Sequence, residues 1–125
     1  MATLTADEWQ SLMDIADADV SNTIVEYILN TAIDTANALG NSLGVEITNM
    51  TGSTAGSKTW SGTSAEKGVI LNVARLIYYG FYQDLEQATL AGITVIPADI
   101  LSNPNNLNFV KELVMNLREI DVSVG

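Results

Sequence analysis

Val20, Ile24, Ile28, Ala32 and Ala36 return at every fourth position, and Val25, Leu29 and Ile33 stand beside them. Residues four apart lie one above another on an α-helix, so the segment up to about Leu39 presents one broad apolar stripe. Such a stripe must be buried against other elements. The chain supplies them. Val69, Ile70, Val73, Leu76, Ile77 and Phe81 wrap most of the circumference of another helix, expected from residue 64 and, by its apolar content, at the centre of the fold. Leu107, Val110, Leu113, Val114, Leu117 and Ile120 mark a last helix that starts near Pro104 or Asn106. Trp9, Leu12 and Met13 point inward from a short first helix over about residues 6 to 15. The pattern predicts an all-α fold, a small bundle of about four helices in a single domain over residues 1–125.

Helix ends are written into the same sequence. Thr5-Ala6-Asp7-Glu8 and Thr63-Ser64-Ala65-Glu66 both read as capping boxes, with Leu4 and Trp9 at the positions of a hydrophobic staple. Asp19 or Ser21 is expected to cap the second helix and Gly40 to end it. Gly68 and Gly80 inside the third helix predict close packing there, since each costs about 1 kcal/mol against Ala. Residues 91 to 96 read as extended, and Pro97 as the opening of a short turn.

At 47% hydrophobic residues, 125 residues suffice for one core. The chain has neither cysteine nor histidine, which removes the thiolate nucleophile, the disulfide framework and the commonest general base and zinc ligand. Fifteen acids face five bases for a net charge of −10, and residues 1 to 57 contain no Lys or Arg. Such a surface repels nucleic-acid phosphates and anionic membranes. The longest apolar stretch, Gly68 to Phe81, carries Asn72 and Arg75 and is too short and polar to span a bilayer. MATLTADEWQ has no basic and apolar regions of a secretory signal, so secretion is not expected.

The apparent motifs fail on chemistry. GSTAGSKT at residues 52–59 spells most of a phosphate-binding P-loop, but Ser57 stands at the second glycine and Thr59-Trp60-Ser61-Gly62 cannot open a helix behind Lys58. Asp17-x-Asp19-x-Ser21 begins like a calcium loop, yet Asn22 and Ile28 occupy the turn-glycine and bidentate-Glu positions. Asn49-Met50-Thr51 is a glycosylation sequon without a signal peptide. Asp84 and Glu86 form a carboxylate pair that nothing places in a pocket. No enzyme, metal or cofactor is expected.

Two segments are left over. Residues 45–62 read as a β-hairpin-like arm projecting from the bundle: Val45, Ile47 and Asn49 alternate, Gly52 to Gly56 turn, and Lys58 to Trp60 return. Lys58 and Trp60 are therefore candidate partner-binding residues, because a tryptophan in a Gly/Ser-rich loop has little core to enter. The sequence equally allows Trp60 to fold back onto its own bundle. In residues 120–125, Ile120, Val122 and Val124 fall two apart, and Gly125 follows. An extended tail of that length is unstable alone but can add to a partner's sheet edge; a frayed terminus is the alternative.

"LTADEWQSLMDIADADVSNTIVEYILNTAIDTANAL" and "SAEKGVILNVARLIYYGFYQDLE", with "NFVKELVMNLREI" more faintly, resemble the tailed-phage head–tail connector proteins, the adaptors bound beneath the portal. The resemblance covers residues 3 to 39 and 64 to 86. It implies a structural virion protein in the neck, assembled in the host cytoplasm as a homo-oligomeric ring, a dodecamer, that extends the DNA channel. Its partners would be the portal, reached by the C-terminal tail, and the next neck or tail component. DNA would pass through without specific binding, for which an acidic wall is suited. A small acidic interaction module, of regulator or anti-repressor type and binding through Trp60 and its loop, is the alternative.

Overall fold

The computed structural model describes residues 1–15, 20–83, 90, 92 and 94–124, apart from the side chains of 119–124. Asp17, Asp19, Asp84, Glu86, Ala91, Ile93 and Gly125, which figured in the sequence reading, lie outside the described residues. The chain is mostly helical, with a small sheet that the all-α expectation did not include. In order come β1 (Ala2–Thr5), α1 (Ala6–Met13), α2 (Asn22–Gly40), β2 (Thr59–Gly62), α3 (Ser64–Ile77), α4 (Pro97–Leu101) and α5 (Pro104–Val124). β1 and β2 are antiparallel, with Leu4 opposite Trp60 and Ala2 opposite Gly62.

α2 is the central element. It packs on α1, α3, α4 and α5, and Val25, Ile28, Leu29, Ala32, Ile33 and Ala36 are all buried. This corrects the expectation that α3 holds the centre. Thr31 and Thr35 can be enclosed on α2 because their hydroxyls donate back to the carbonyls of Tyr27 and Thr31. α3 instead buries one face, with Val69, Ile70, Val73, Ala74 and Ile77, and turns Asn72 and Arg75 to solvent.

The caps form largely as the sequence requires. Thr63 and Glu66 exchange both hydrogen bonds of a capping box. At α1 only half a box forms: Thr5 Oγ1 accepts from the Glu8 N–H, while the Glu8 carboxylate pairs with Lys67 on α3. Ser21 caps α2 through the Ile24 N–H. α2 ends at Gly40 as expected, but Gly40 stays right-handed and leads into a 3₁₀ turn at Asn41–Leu43, and the left-handed glycine is Gly44. Further along, Tyr27 Oη donates to the Val95 carbonyl (2.9 Å) and accepts from the Val95 N–H (3.0 Å), which ties the segment before α4 to α2. Pro97 opens a helical turn whose Asp99 carboxylate accepts from the Ile96 N–H, and Asn103 caps α5.

α5 is helical as far as Val124, so the extended tail is corrected to a helix end. The two-residue spacing of Ile120, Val122 and Val124 misleads because five residues are too few to override an established helix.

After Ile77 the helix widens into one π turn, Tyr78–Tyr82, closed by the Gln83 N–H on the Tyr78 carbonyl. The wider turn carries the buried face from Ile77 to Tyr82, five residues on, in place of Phe81, which stays half-buried. The Tyr82 hydroxyl has no hydrogen-bond partner among the described residues. Burial, with Tyr27 nearby, pushes its pKa from 10.0 up to about 12. The folded chain thus keeps a proton that the unfolded chain releases earlier. The stability from this group is complete below pH 10.0 and is lost as pH rises through about 12. Wild-type protein should therefore lose melting temperature across that window more steeply than Tyr82→Phe. Equal slopes would contradict the assignment.

Candidate functional site

The GSTAGSKT stretch does cradle an anion, but the anion belongs to the chain. The Gly56 N–H donates to Glu26 Oε1 (2.7 Å) and the Lys58 N–H to Glu26 Oε2 (2.8 Å). Gly56 adopts φ +88, a left-handed conformation suited to glycine, and the amides on either side of Ser57 meet one carboxylate while the Ser57 N–H donates to the Thr54 carbonyl. Thr51 and Thr59 close the loop below it with a reciprocal pair of backbone bonds. The place a phosphate would take is filled by Glu26.

Glu26 is one of four polar residues on a single side of α2. Asn22, Glu26, Asn30 and Asn37 stand four, four and seven residues apart, close together on the helix circumference. Asn37 accepts from the Ile47 N–H and donates to the Ile47 carbonyl, at 2.8 and 2.9 Å. Asn30 accepts from the Met50 N–H. Asn22 donates to Asp7 and to the Gly56 carbonyl. The row acts as a substitute strand: it pairs the backbone of an irregular segment that has to be buried. Sequence reading missed it, although the spacing of Asn22, Glu26, Asn30 and Asn37 carries the signal.

The segment is therefore no projecting arm. Val45, Ile47 and Met50 enter the core, and Trp60 is 1% exposed, with Nε1 donating to the Thr48 carbonyl at 2.8 Å. Trp60 found its core in the sheet: β2 pairs with β1, a strand absent from the sequence reading, and Leu4 lies opposite the indole. Gly62 makes room, since a Cβ there would come within 2.6 Å of the ring. Trp60 is thus corrected from a partner-binding residue to a core residue. Lys58 is half-buried, and its backbone serves the Glu26 clamp. The structure does not bring Lys58 and Trp60 together with the C-terminal residues into one site: Ile120, Val122 and Val124 lie on the last turns of α5, and Gly125 is outside the described residues.

The open face of the molecule lies elsewhere, along the outer side of α3. Three adjoining depressions run over it. Trp9, Leu12, Met13 and Leu71 line the first, of about 180 Å³, between α1 and α3. Leu76, Tyr79, Asn106 and Phe109 line the second, of about 290 Å³, between α3 and α5. Gly68, Val69, Leu113 and Asn116 line the third, of about 200 Å³. Asn72 borders all three, and Arg75 the first two. Gly68 is not packed closely, as the sequence suggested; a Cβ there would meet nothing within 4 Å, and the same holds at Gly80. Leu12 (60%), Tyr79 (44%) and Phe109 (40%) are large exposed apolar residues on or beside this face. The Arg75 guanidinium lies over the Tyr79 ring, 5.6 Å from its centroid, and the Tyr79 and Tyr78 rings meet edge to face. Among the described residues, no carboxylate lines any of the three depressions. Exposed aromatic, aliphatic and arginine side chains without acids are the composition of a protein-binding patch.

Among the described residues, no cluster of His, Cys, Asp and Glu could hold a metal ion, and no helix is long and apolar enough to cross a membrane. No family model matches the chain, and no curated protein or solved structure matches it.

Glu26→Ala should cost about 1–3 kcal/mol in denaturant unfolding, because two half-buried amides lose a charged acceptor. Hydrogen exchange at Gly56 and Lys58 should accelerate with it; unchanged exchange would show that the clamp does not hold the loop. Trp60→Ala should cost about 3–5 kcal/mol as a core truncation. A fully stable Trp60→Ala that fails only in assembly would reinstate the partner-binding role.

Proposed function

We propose that the protein is a structural virion component, a head–tail adaptor that forms a ring beneath the portal of a tailed phage and extends the DNA channel. The observation that carries this reading is the acid-free apolar face along α3. On a chain with fifteen acids, a surface of Leu12, Tyr79, Phe109 and Arg75 is what a subunit built to be covered would keep. The resemblance of residues 3–39 and 64–86 to connector proteins names the kind of assembly, with twelve copies in the neck of the virion.

The remaining surface suits the same role. A net charge of −10 repels DNA phosphates, so a ring of such subunits would let DNA slide without holding it. The regulator reading placed its contact at Trp60 and its loop; burial takes the Trp60 side chain out of that contact, and residues 51–55 of the loop stay exposed.

The test is mass measurement of the purified chain mixed with the portal ring of the same virus. A stoichiometric ring of copies on the portal is expected, and no binding at saturating concentration would reject the adaptor role. Deleting residues 121–125, the last turn of α5, should leave helical content and melting temperature unchanged and abolish portal binding. A truncated chain that still saturates the portal would remove the C-terminus from that contact.

A further inference from the structure

The α3 face carries Arg75 without an ion pair among the described residues, where the pair Lys67–Glu8 is the one formed. Its guanidinium is nevertheless held in place by the Tyr79 ring. A fixed, unneutralised cation beside apolar depressions selects a partner that brings carboxylates on an apolar ground.

The chain is itself such a partner. Eight of its fifteen acids (Asp7, Glu8, Asp14, Asp17, Asp19, Glu26, Asp34 and Glu46) fall in residues 1–57 with no base, and all five bases lie between Lys58 and Arg118. Of those acids Asp7, Glu8 and Glu26 are engaged within the fold. Asp14, Asp34 and Glu46 are exposed, and their carboxylates hold no hydrogen bond or ion pair among the described residues; Asp14 follows Met13 beside the α3 face, whereas Asp34 and Glu46 adjoin no residue that lines it. A symmetric face-to-face dimer would set Arg75 against Arg75. A head-to-tail contact sets opposite charges together at every junction, and repeated head-to-tail contacts give a ring when the rotation between copies closes and a filament when it does not.

We propose that the α3 face seats a second copy of this chain, which meets Arg75 with the exposed carboxylates Asp34 and Glu46 of its own cation-free half. This rests on the ring-adaptor reading for the size of the assembly but not for the contact itself.

The test uses full-length chains, alone and on the portal ring, with mass measured in solution. Arg75→Glu should weaken self-association about 30-fold, as should the double variant Asp34→Lys with Glu46→Lys, while melting temperatures stay at the wild-type value. Mixed together, the two variants should regain assembly as alternating copies, because each junction again pairs opposite charges. Should Arg75→Glu misfold, Phe109→Asp probes the same face and should weaken assembly likewise. Folded variants that assemble as wild type does, or a mixture that stays dispersed, would overturn the proposal. So would a wild-type chain that is monomeric both alone and with the portal. Wild-type rings that ignore the portal but dissolve on Arg75→Glu would keep this contact and reject the adaptor role. Rings that form on the portal regardless of Arg75→Glu would do the reverse.

Discussion

The two hydrogen bonds from the Gly56 and Lys58 amides to Glu26 settle how the middle of this chain can be folded. Val45, Ile47, Met50 and Trp60 have to enter the core, and each draws its backbone toward a place without water. Between Gly44 and Thr59 there is no helix or paired strand to satisfy those groups, apart from the single Thr51–Thr59 bridge. α2 satisfies them from its side, with Asn22, Glu26, Asn30 and Asn37. The helix is thus apolar toward its neighbours and amide-like toward the loop. This division explains why α2, and not α3, became the centre.

What the sequence made legible was set by local rules. Helix stripes, the Thr63 cap and the restart at Ser21 depend on residues three or four apart, and they stand where the periodicity puts them. The loop was misread because its partners are distant: Lys58 meets Glu26, Trp60 meets Leu4 and Thr48, and Ile47 meets Asn37. Alternation in Val45 and Ile47 was real, but Met50 breaks it, and a two-residue period alone cannot say whether a segment projects or folds down. The π turn was equally hidden, since the shift from Phe81 to Tyr82 is decided by which ring the core accepts. The α3 face could be reached only by elimination, once α2 had taken the centre and left one side of α3 uncovered.

The charge distribution and the packing bear on each other. Burying Glu26 and tying Asp7 to Asn22 and Glu8 to Lys67 takes three acids off the free surface of the N-terminal half. Asp34, four residues beyond Asn30 on the polar side of α2, and Glu46, between the buried Val45 and Ile47, stay exposed. The cation-free half therefore offers few carboxylates at defined places, and the α3 face offers one ordered guanidinium. Specificity of that kind comes from position more than from the total charge.

The pairing of β1 with β2 also bears on how the protein comes into being. Ala2–Thr5 cannot be satisfied until Thr59–Gly62 has left the ribosome, so α1 and α2 emerge before the strand that fastens them exists. Closing that long loop costs chain entropy, and the bonds of the Gly56 and Lys58 amides to Glu26 bring the chain back to α2 just ahead of β2. α5 arrives afterwards onto a surface already assembled. A nascent chain stalled short of residue 62 would display the apolar faces of α1 and α2 to chaperones.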